Sequence, residues 1–303
     1  MTNRALVFTE YGGPETESFV DLPDPLAGPG QVRIAVAASA VNPADWKFRQ
    51  GLFRQYIPFE LPHIIGSEAA GVIDQVGADV TDFAVGDAVF GNTAEGGISA
   101  YALLSVDSIA PKPESVDFTV AATLPIAGGT AADGLAQLAL PEGATVLIVG
   151  IGGGVGSAAA QLARHHGLRV IGTAGPGKKE LVESLGAVHV SYGDGVVDRV
   201  RAVAPDGVDG ILDTVGGPGL VELAVVAKDR SKIVSTSDPA AAAEAGGAYI
   251  SRRGPGTLLE LADLVASGAL DPKISAVYDF EHARDALRDV ESGHANGKVV
   301  VVI

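Results

Sequence analysis

Cysteine is absent from the 303 residues, and that single absence removes disulfides, thiolate nucleophiles and zinc–sulfur centres together. Basic clusters are missing as well. The chain carries 21 Lys and Arg against 37 Asp and Glu, a formal net charge of −16. Without a block of positive charge to neutralise phosphates, no nucleic-acid partner is expected, and the acidity reads as an aid to solubility. No apolar run approaches the roughly 18 residues of a membrane span, and the opening MTNRALVFTEYGG lacks a signal-peptide pattern. A soluble, cytoplasmic protein with no membrane partner is the expectation. Aromatic residues make up only 5%, whereas 47% of the chain is apolar and 40 residues are glycine. That is enough apolar material for a core in each of two domains.

The glycines concentrate in one place. In GATVLIVGIGGGVGS (143–157), the ATVLIV run predicts a strand buried on both faces of a parallel sheet. Gly150, Gly152, Gly153, Gly154 and Gly156 then crowd a turn. The following SAAAQLARHHG predicts a helix, with Val155, Ala158, Ala159, Leu162 and Ala163 on one face and Gly167 as its stop. Strand, glycine turn and helix present backbone N–H groups at a helix N-terminus, which suits a pyrophosphate. The spacing is G-x-x-G-x-x-G through Gly150, Gly153 and Gly156, since Val155 stands where G-x-G-x-x-G needs its third glycine. The alternative is a structural strand–helix turn.

Residues 1–118 read as β-rich, with short strands and Pro/Gly punctuation that suggest a small barrel or sandwich. From Glu114–Phe118 the texture changes. SVDFTVAATLPIAGGTAADGLAQLA is helical in composition. Strands near 144–149, 169–173, 187–190, 208–213 and 231–235 then alternate with helices near 155–166, 177–185, 196–203 and 218–227. A strand near 247–251 and a helix near 256–267 follow. This alternation predicts a doubly wound parallel sheet. The final KVVVVI needs a sheet to join and is assigned to the first domain. The fold class is therefore α/β, with a β-rich domain at 1–118 rejoined by 268–303 and a Rossmann domain at 119–267.

Several segments together resemble the medium-chain dehydrogenase/reductase superfamily, in its zinc-free quinone oxidoreductase and alkenal (enone) reductase branch. They are VNPADWKFRQG (41–51), PHIIGSEAAGVIDQVGADVTDFAVGDAVFG (62–91), LPIAGGTAADGL (124–135), VGIGGGVGSAAAQLA (149–163), LDTVGG (212–217) and GHANGKVVVVI (293–303). The resemblance implies a GroES-like catalytic domain, a Rossmann domain and a cofactor cleft between them. It also implies a homodimer. Zinc-dependent members place Cys where Asn42 stands and His where Ser67 stands, so no metal is expected. His63 with Glu68 is a poor zinc set, and His63 reads as a partly buried structural histidine.

The second Rossmann strand ends in Thr173, Ala174 and Gly175, with no acid to bond a ribose 2′-hydroxyl. Lys178 and Lys179 follow, and an ammonium there attracts a 2′-phosphate, so NADPH is the expected cofactor. Solvated charges at a helix start are the alternative for the two lysines. The resemblance adds Tyr192 beside the adenosine phosphate, and Thr130 and Asn42 near the nicotinamide. Asn296 stands where relatives often carry arginine, which raises the question of weaker cofactor binding. Thr214, Val215, Ser235 and Thr236 lie at strand ends on the cofactor side, and Tyr249 and Ile250 are expected along the nicotinamide face. Asp213 reads as a site residue or a helix cap.

The reaction implied is hydride transfer to a quinone or an α,β-unsaturated carbonyl, with a donor for the developing oxyanion and a source of one proton. Asn42, Lys47 and Tyr56 are the candidate donors. Trp46, Phe53 and Tyr56 either stack on a flat substrate or pack, and Asp45 either orients Lys47 or caps a turn. Two other functions fit the same residues: an enoyl-thioester reductase, and a non-catalytic NADPH-binding redox sensor.

Overall fold

The computed structural model describes residues 2–251, 256–293 and 295–303. Two compact units divide the chain. One takes Met1–Ile126, Gly254–Ala266 and Ile274–Ile303, the other Ala127–Arg253 and Ser267–Lys273.

The first unit opens with β1 (Thr2–Phe8), β2 (Glu17–Pro23), β3 (Gln31–Val41), α1 (Pro43–Arg49), β4 (His63–Ile64), β5 (Glu68–Val76), β6 (Ala88–Thr93), β7 (Tyr101–Pro111) and α2 (Phe118–Ala121). The second unit follows with α3 (Gly129–Leu138), β8 (Thr145–Val149), α4 (Gly154–His165), β9 (Arg169–Ala174) and α5 (Lys179–Ser184). It continues through β10 (Val188–Ser191), α6 (Val196–Val203), β11 (Gly210–Asp213), α7 (Pro218–Leu223), β12 (Ile233–Ser235), α8 (Pro239–Glu244) and β13 (Ala248–Tyr249). The first unit then resumes with α9 (Gly256–Ala266), β14 (Ile274–Asp279), α10 (Ala283–Glu291) and β15 (Lys298–Val302).

In the first unit the main sheet runs β14-β15-β3-β5-β6-β7, and β7 pairs back onto β3. That return closes β3, β5, β6 and β7 into a small barrel, which removes their free edges. Closure demands close strand crossings. At Gly71 a Cβ would lie 2.2 Å from the Ala35 carbonyl oxygen, so only glycine fits there. β15 pairs antiparallel with β3, Val299 opposite Val41 and Val302 opposite Ala38. A smaller sheet, β2-β1-β4, completes the unit.

In the second unit all six strands are parallel, in the order β10-β9-β8-β11-β12-β13. The chain starts in the middle, winds one way, then returns and winds the other, which is the doubly wound arrangement expected from the alternating pattern. β8 is central, and Val146 to Val149 are buried because helices cover both faces.

The helical composition of 115–139 resolves into α2, a π-helical turn over Leu124–Gly128 and α3. Pro125 lacks the N–H that a continuous helix would use there. The change of unit falls inside this turn, between Ile126 and Ala127, rather than at 118, because α2 packs on β3 and β5. Helix α9 likewise packs on β7 and stays with the first unit, although its position after the Rossmann pattern had placed it with the second. Among the described residues, no helix is long and apolar enough to cross a membrane.

Candidate functional site

The carboxyl ends of the second unit's strands form one row. Register sets Thr173 beside Val149, Val149 beside Asp213, Asp213 beside Ser235, and Ser235 beside Tyr249. The loops that leave this row carry Gly150–Gly156, Ala174–Lys179, Thr214–Gly217, Thr236 and Ile250. Ligands of open parallel sheets bind at such an edge, where the winding reverses.

The turn after β8 has physical reasons for its glycines. Gly150 has φ near 81°, a conformation that disfavours side chains, and a Cβ there would sit 2.5 Å from Thr214 Oγ1. A Cβ on Gly156 would lie 2.4 Å from the Gly150 carbonyl oxygen and 2.6 Å from Ile151 Cα. Gly156 therefore lets the helix pack against its own turn. Gly153 caps α4 in extended geometry, and Gly154, Val155 and Gly156 form the first helical turn, whose N–H groups have no acceptor within the helix. Thr173 is buried and accepts from the Gly150 N–H through its hydroxyl and carbonyl oxygens. It anchors the turn from beneath.

The two lysines separate. Lys178 is half-buried, its Nζ donates to the Gly152 carbonyl at 3.2 Å, and burial pulls its pKa down from the usual lysine value. Its side chain lies over the turn, since a Cβ on Gly152 would meet Lys178 Cδ at 2.5 Å. Lys179 is exposed and pairs with Glu183 at 3.7 Å. Tyr192 is 68% exposed, and its ring stands by Gly175. Ala174 is buried.

Asp213 is fully buried. Its carboxylate accepts from the Val215 and Gly216 N–H groups and from the Ser235 hydroxyl at 2.6 Å. Ser235 Oγ in turn accepts from the N–H groups of Ser237 and Asp238. Asp213 is thus a clamp on two loops, and Ser235 is wholly committed to it. Thr214 donates to the Val149 carbonyl at 2.8 Å, leaving the Val215 side chain 61% exposed. Thr236 donates to the Asp213 carbonyl, the Tyr249 hydroxyl to the Thr236 carbonyl, and the Ile250 N–H to the Ser235 carbonyl. Thr130 is buried in α3.

A second set lies in the first unit. Asn42 is 4% exposed; its Nδ2 donates to Glu68 Oε1 at 2.8 Å and its Oδ1 accepts from Lys298 Nζ at 2.6 Å. Lys298 also donates to Glu68 Oε1 at 2.7 Å, and Glu68 Oε2 accepts the Ile126 N–H. An ammonium, a carboxylate and an amide are buried as one neutral cluster, which relieves the cost of burying each charge alone. Asp45, in the first turn of α1, accepts the Asn42 N–H on Oδ2 at 2.7 Å and the Ser67 hydroxyl on Oδ1 at 2.6 Å. It caps the helix rather than orienting Lys47. Burial pushes its pKa up to about 6; the Ser67 and Asn42 hydrogen bonds oppose the shift, Glu68 adds to it and Lys298 opposes it.

Asp45 and Ser67 lie on the wall of a cavity of about 240 Å³. Most of the remaining wall is apolar or aromatic. Phe59 stacks on His63 at 4.0 Å between ring centroids, and Phe8 and Phe48 meet them edge-on. His63 is half-buried, and desolvation lowers its pKa to about 4, which keeps the ring neutral. The aromatic residues singled out from the sequence are elsewhere. Trp46 carries Lys47 over its ring at 5.7 Å, Phe53 packs against Phe48, and Tyr56 is 82% exposed. Neither they nor Asn42 line the cavity. Among the described residues, no group of three or more His, Cys, Asp and Glu is placed to hold a metal ion.

Residues 28–114 match the model of the alcohol dehydrogenase GroES-like domain, and residues 185–301 match that of the zinc-binding dehydrogenase domain. The chain is 34% identical to the chloroplastic NADPH-dependent alkenal/one oxidoreductase of Arabidopsis thaliana, over 98% of this chain and 79% of the plant protein. It belongs to the medium-chain dehydrogenase/reductase superfamily. Within it the chain falls in the branch of the alkenal/one and quinone oxidoreductases, and it is an oxidoreductase. The solved quinone oxidoreductase of Coxiella burnetii superposes with a TM-score of 0.90 at 29% identity, covering all of both chains. A mycobacterial protein solved with NADPH gives 0.88 at 30% identity, covering 99% of this chain and 100% of that one.

Sequence reasoning did not anticipate Ser67 as the partner of Asp45, nor the placement of Phe8, Phe48 and Phe59 on the cavity wall and of Lys298 beside Asn42 and Glu68. Ser67 had drawn notice only for the histidine it replaces. Lys298 and Phe8 gave no local signal, because their partners Asn42 and Glu68, and Phe59 and His63, lie far away in the chain.

Proposed function

We propose that this oxidoreductase uses NADPH, without zinc, to reduce quinones or α,β-unsaturated carbonyls. The observation that carries the reading is the glycine turn after β8 with Lys178 folded across it and no acid at the end of β9. The first turn of α4 offers N–H groups to a pyrophosphate. Gly150, Gly152, Gly153, Gly154, Val155 and Gly156 supply that cradle. Lys178, with Tyr192 at the same strand end, receives the 2′-phosphate; Lys179 adds only long-range charge. Thr214, Val215, Thr236, Tyr249 and Ile250 border the rest of the nucleotide, held in shape by Asp213 and Ser235. The reduced nicotinamide, when bound, supplies a hydride.

The donor set of the first unit supports a zinc-independent reaction. Asn42 and Ser67 are poor zinc ligands, and the Lys298 ammonium already sits between Asn42 Oδ1 and Glu68 Oε1. A second cation there would meet a charge of its own sign. The names of the Arabidopsis and Coxiella relatives point to alkenals, enones and quinones as acceptors.

Following NADPH absorbance with a panel of quinones, short enals and enoyl thioesters tests the reading. Turnover of quinones or enals in chelator-treated protein is expected. Tight NADPH binding with no turnover of any acceptor would replace it with a redox sensor.

A further inference from the structure

We infer that Arg199 is a positioning residue for cofactor choice: it clamps the loop after β10 so that Tyr192 stands ready beside Lys178. The inference rests on the NADPH reading above and names the residue that shapes the seat of the 2′-phosphate. Every group in it belongs to the second unit.

Arg199 lies in the first turn of α6, half-buried beside the loop 191–194. Its Nε donates to the Ser191 carbonyl at 2.9 Å and its Nη1 to that of Asp194 at 2.8 Å. Its Nη2 donates to the Tyr192 and Gly193 carbonyls at 3.2 and 3.0 Å. Four of the five N–H groups of the guanidinium are thus spent on four consecutive carbonyls. In extended chain such carbonyls face alternate sides. Here they converge because Gly193 and Gly195 hold φ near 90° and 75°, a region that glycine enters freely. The guanidinium is planar and rigid, so the loop takes one shape around it.

That shape decides where Tyr192 stands. The residue is 68% exposed, so packing does little to hold it. Its N–H donates to the Ala174 carbonyl at 3.3 Å, and its ring faces Gly175, where a Cβ would meet Tyr192 Cε1 at 3.5 Å. The Gly175 carbonyl in turn accepts the Lys178 N–H at 3.0 Å and lies 3.3 Å from His189 Nε2. Arg199, Tyr192, Gly175 and Lys178 form one chain of contacts from α6 to the end of β9. A phosphate received by Lys178 and Tyr192 finds both in place, and no loop has to be ordered on binding. NADH has no 2′-phosphate and gains nothing from that order. The clamp therefore favours NADPH over NADH.

Titration of the full chain, following the fluorescence of NADPH and NADH, tests this. Arg199→Met should weaken NADPH about tenfold, the worth of one contact to a charged group, and change NADH by no more than about twofold. The loop is exposed, so water takes over the freed carbonyls and the variant should fold. Arg199→Lys keeps the charge without the planar fork and should lose nearly as much NADPH affinity. In a Tyr192→Ala background Arg199→Met should cost little more, because Arg199 acts through Tyr192. One readout needs no nucleotide. In protein labelled with 3-fluorotyrosine, the Tyr192 fluorine line, assigned by its absence from Tyr192→Phe, should move toward the free amino-acid position in Arg199→Met. Full NADPH affinity in Arg199→Met or Arg199→Lys, equal losses for the two nucleotides, additive losses in the double variant, or an unmoved fluorine line would overturn the inference. A wild type with equal affinity for NADPH and NADH would remove the cofactor reading and the inference with it, while the fluorine line still reported whether Arg199 holds the loop.

Discussion

Two adjacent lysines can have opposite fates when one faces a turn and the other faces water. Lys178 reaches back to the Gly152 carbonyl, so its charge lies over the glycine turn proposed above to hold the nucleotide. Lys179 points to Glu183 across an exposed helix surface, and a pair of that kind contributes little. Lys178→Glu should therefore weaken NADPH about tenfold or more, the value of one charge-assisted contact, while sparing NADH. Lys179→Glu should change NADPH affinity by no more than about twofold, since it removes no contact. Fluorescence titration of both nucleotides against both variants checks this, and equal losses for NADPH and NADH would contradict the assignment.

At the scale of elements, the unit that matters is β8, its turn and α4. The strand is apolar because it is central, and the helix is made of small residues because it lies close over the sheet. The turn between them is glycine for two different reasons. At Gly156 an added methyl would strike backbone, the Gly150 oxygen at 2.4 Å; at Gly152 it would meet only the flexible Lys178 side chain at 2.5 Å. Gly156→Ala should thus cost about 1–3 kcal/mol, in the range of overpacking, and should also displace the α4 N–H groups and weaken NADPH. Gly152→Ala should cost under about 1 kcal/mol, because a side chain can move aside. Urea unfolding and NADPH titration of the two variants separate these outcomes.

At the scale of the molecule, the chain leaves the first unit, builds the second and comes back. Arg49 helps to fix the return. It is fully buried, pairs with the buried Glu17, and reaches Glu291 on α10 at 2.9 Å. Arg284 on the same helix donates to the Glu17 carbonyl. Glu17 Oε2 has no partner of its own, and burial already pushes the Glu17 pKa up against the pull of Arg49. Arg49→Met should destabilise the protein by about 3–5 kcal/mol by stranding that carboxylate. The sign with pH follows from linkage. Without Arg49, folded Glu17 holds its proton more tightly than unfolded Glu17, so the defect shrinks as pH falls through the raised pKa. Urea unfolding of wild type and variant at neutral and mildly acidic pH measures it; a defect independent of pH would show that packing rather than charge is lost.

The glycine turn, the alternating strands and the missing acid after β9 were legible from the residues alone because each is a pattern of near neighbours, and backbone sterics and helix N-termini act locally. The Rossmann unit follows from such patterns almost entirely. What folding alone decided is which distant side chains meet. Ser67 lies 22 residues from Asp45, and Lys298 lies 230 residues from Glu68 and 256 from Asn42. No local spacing encodes those distances. Pairing with β3 places the start of β5 and the start of β15 beside the end of β3, and only there do a buried amide, carboxylate and ammonium meet as one cluster.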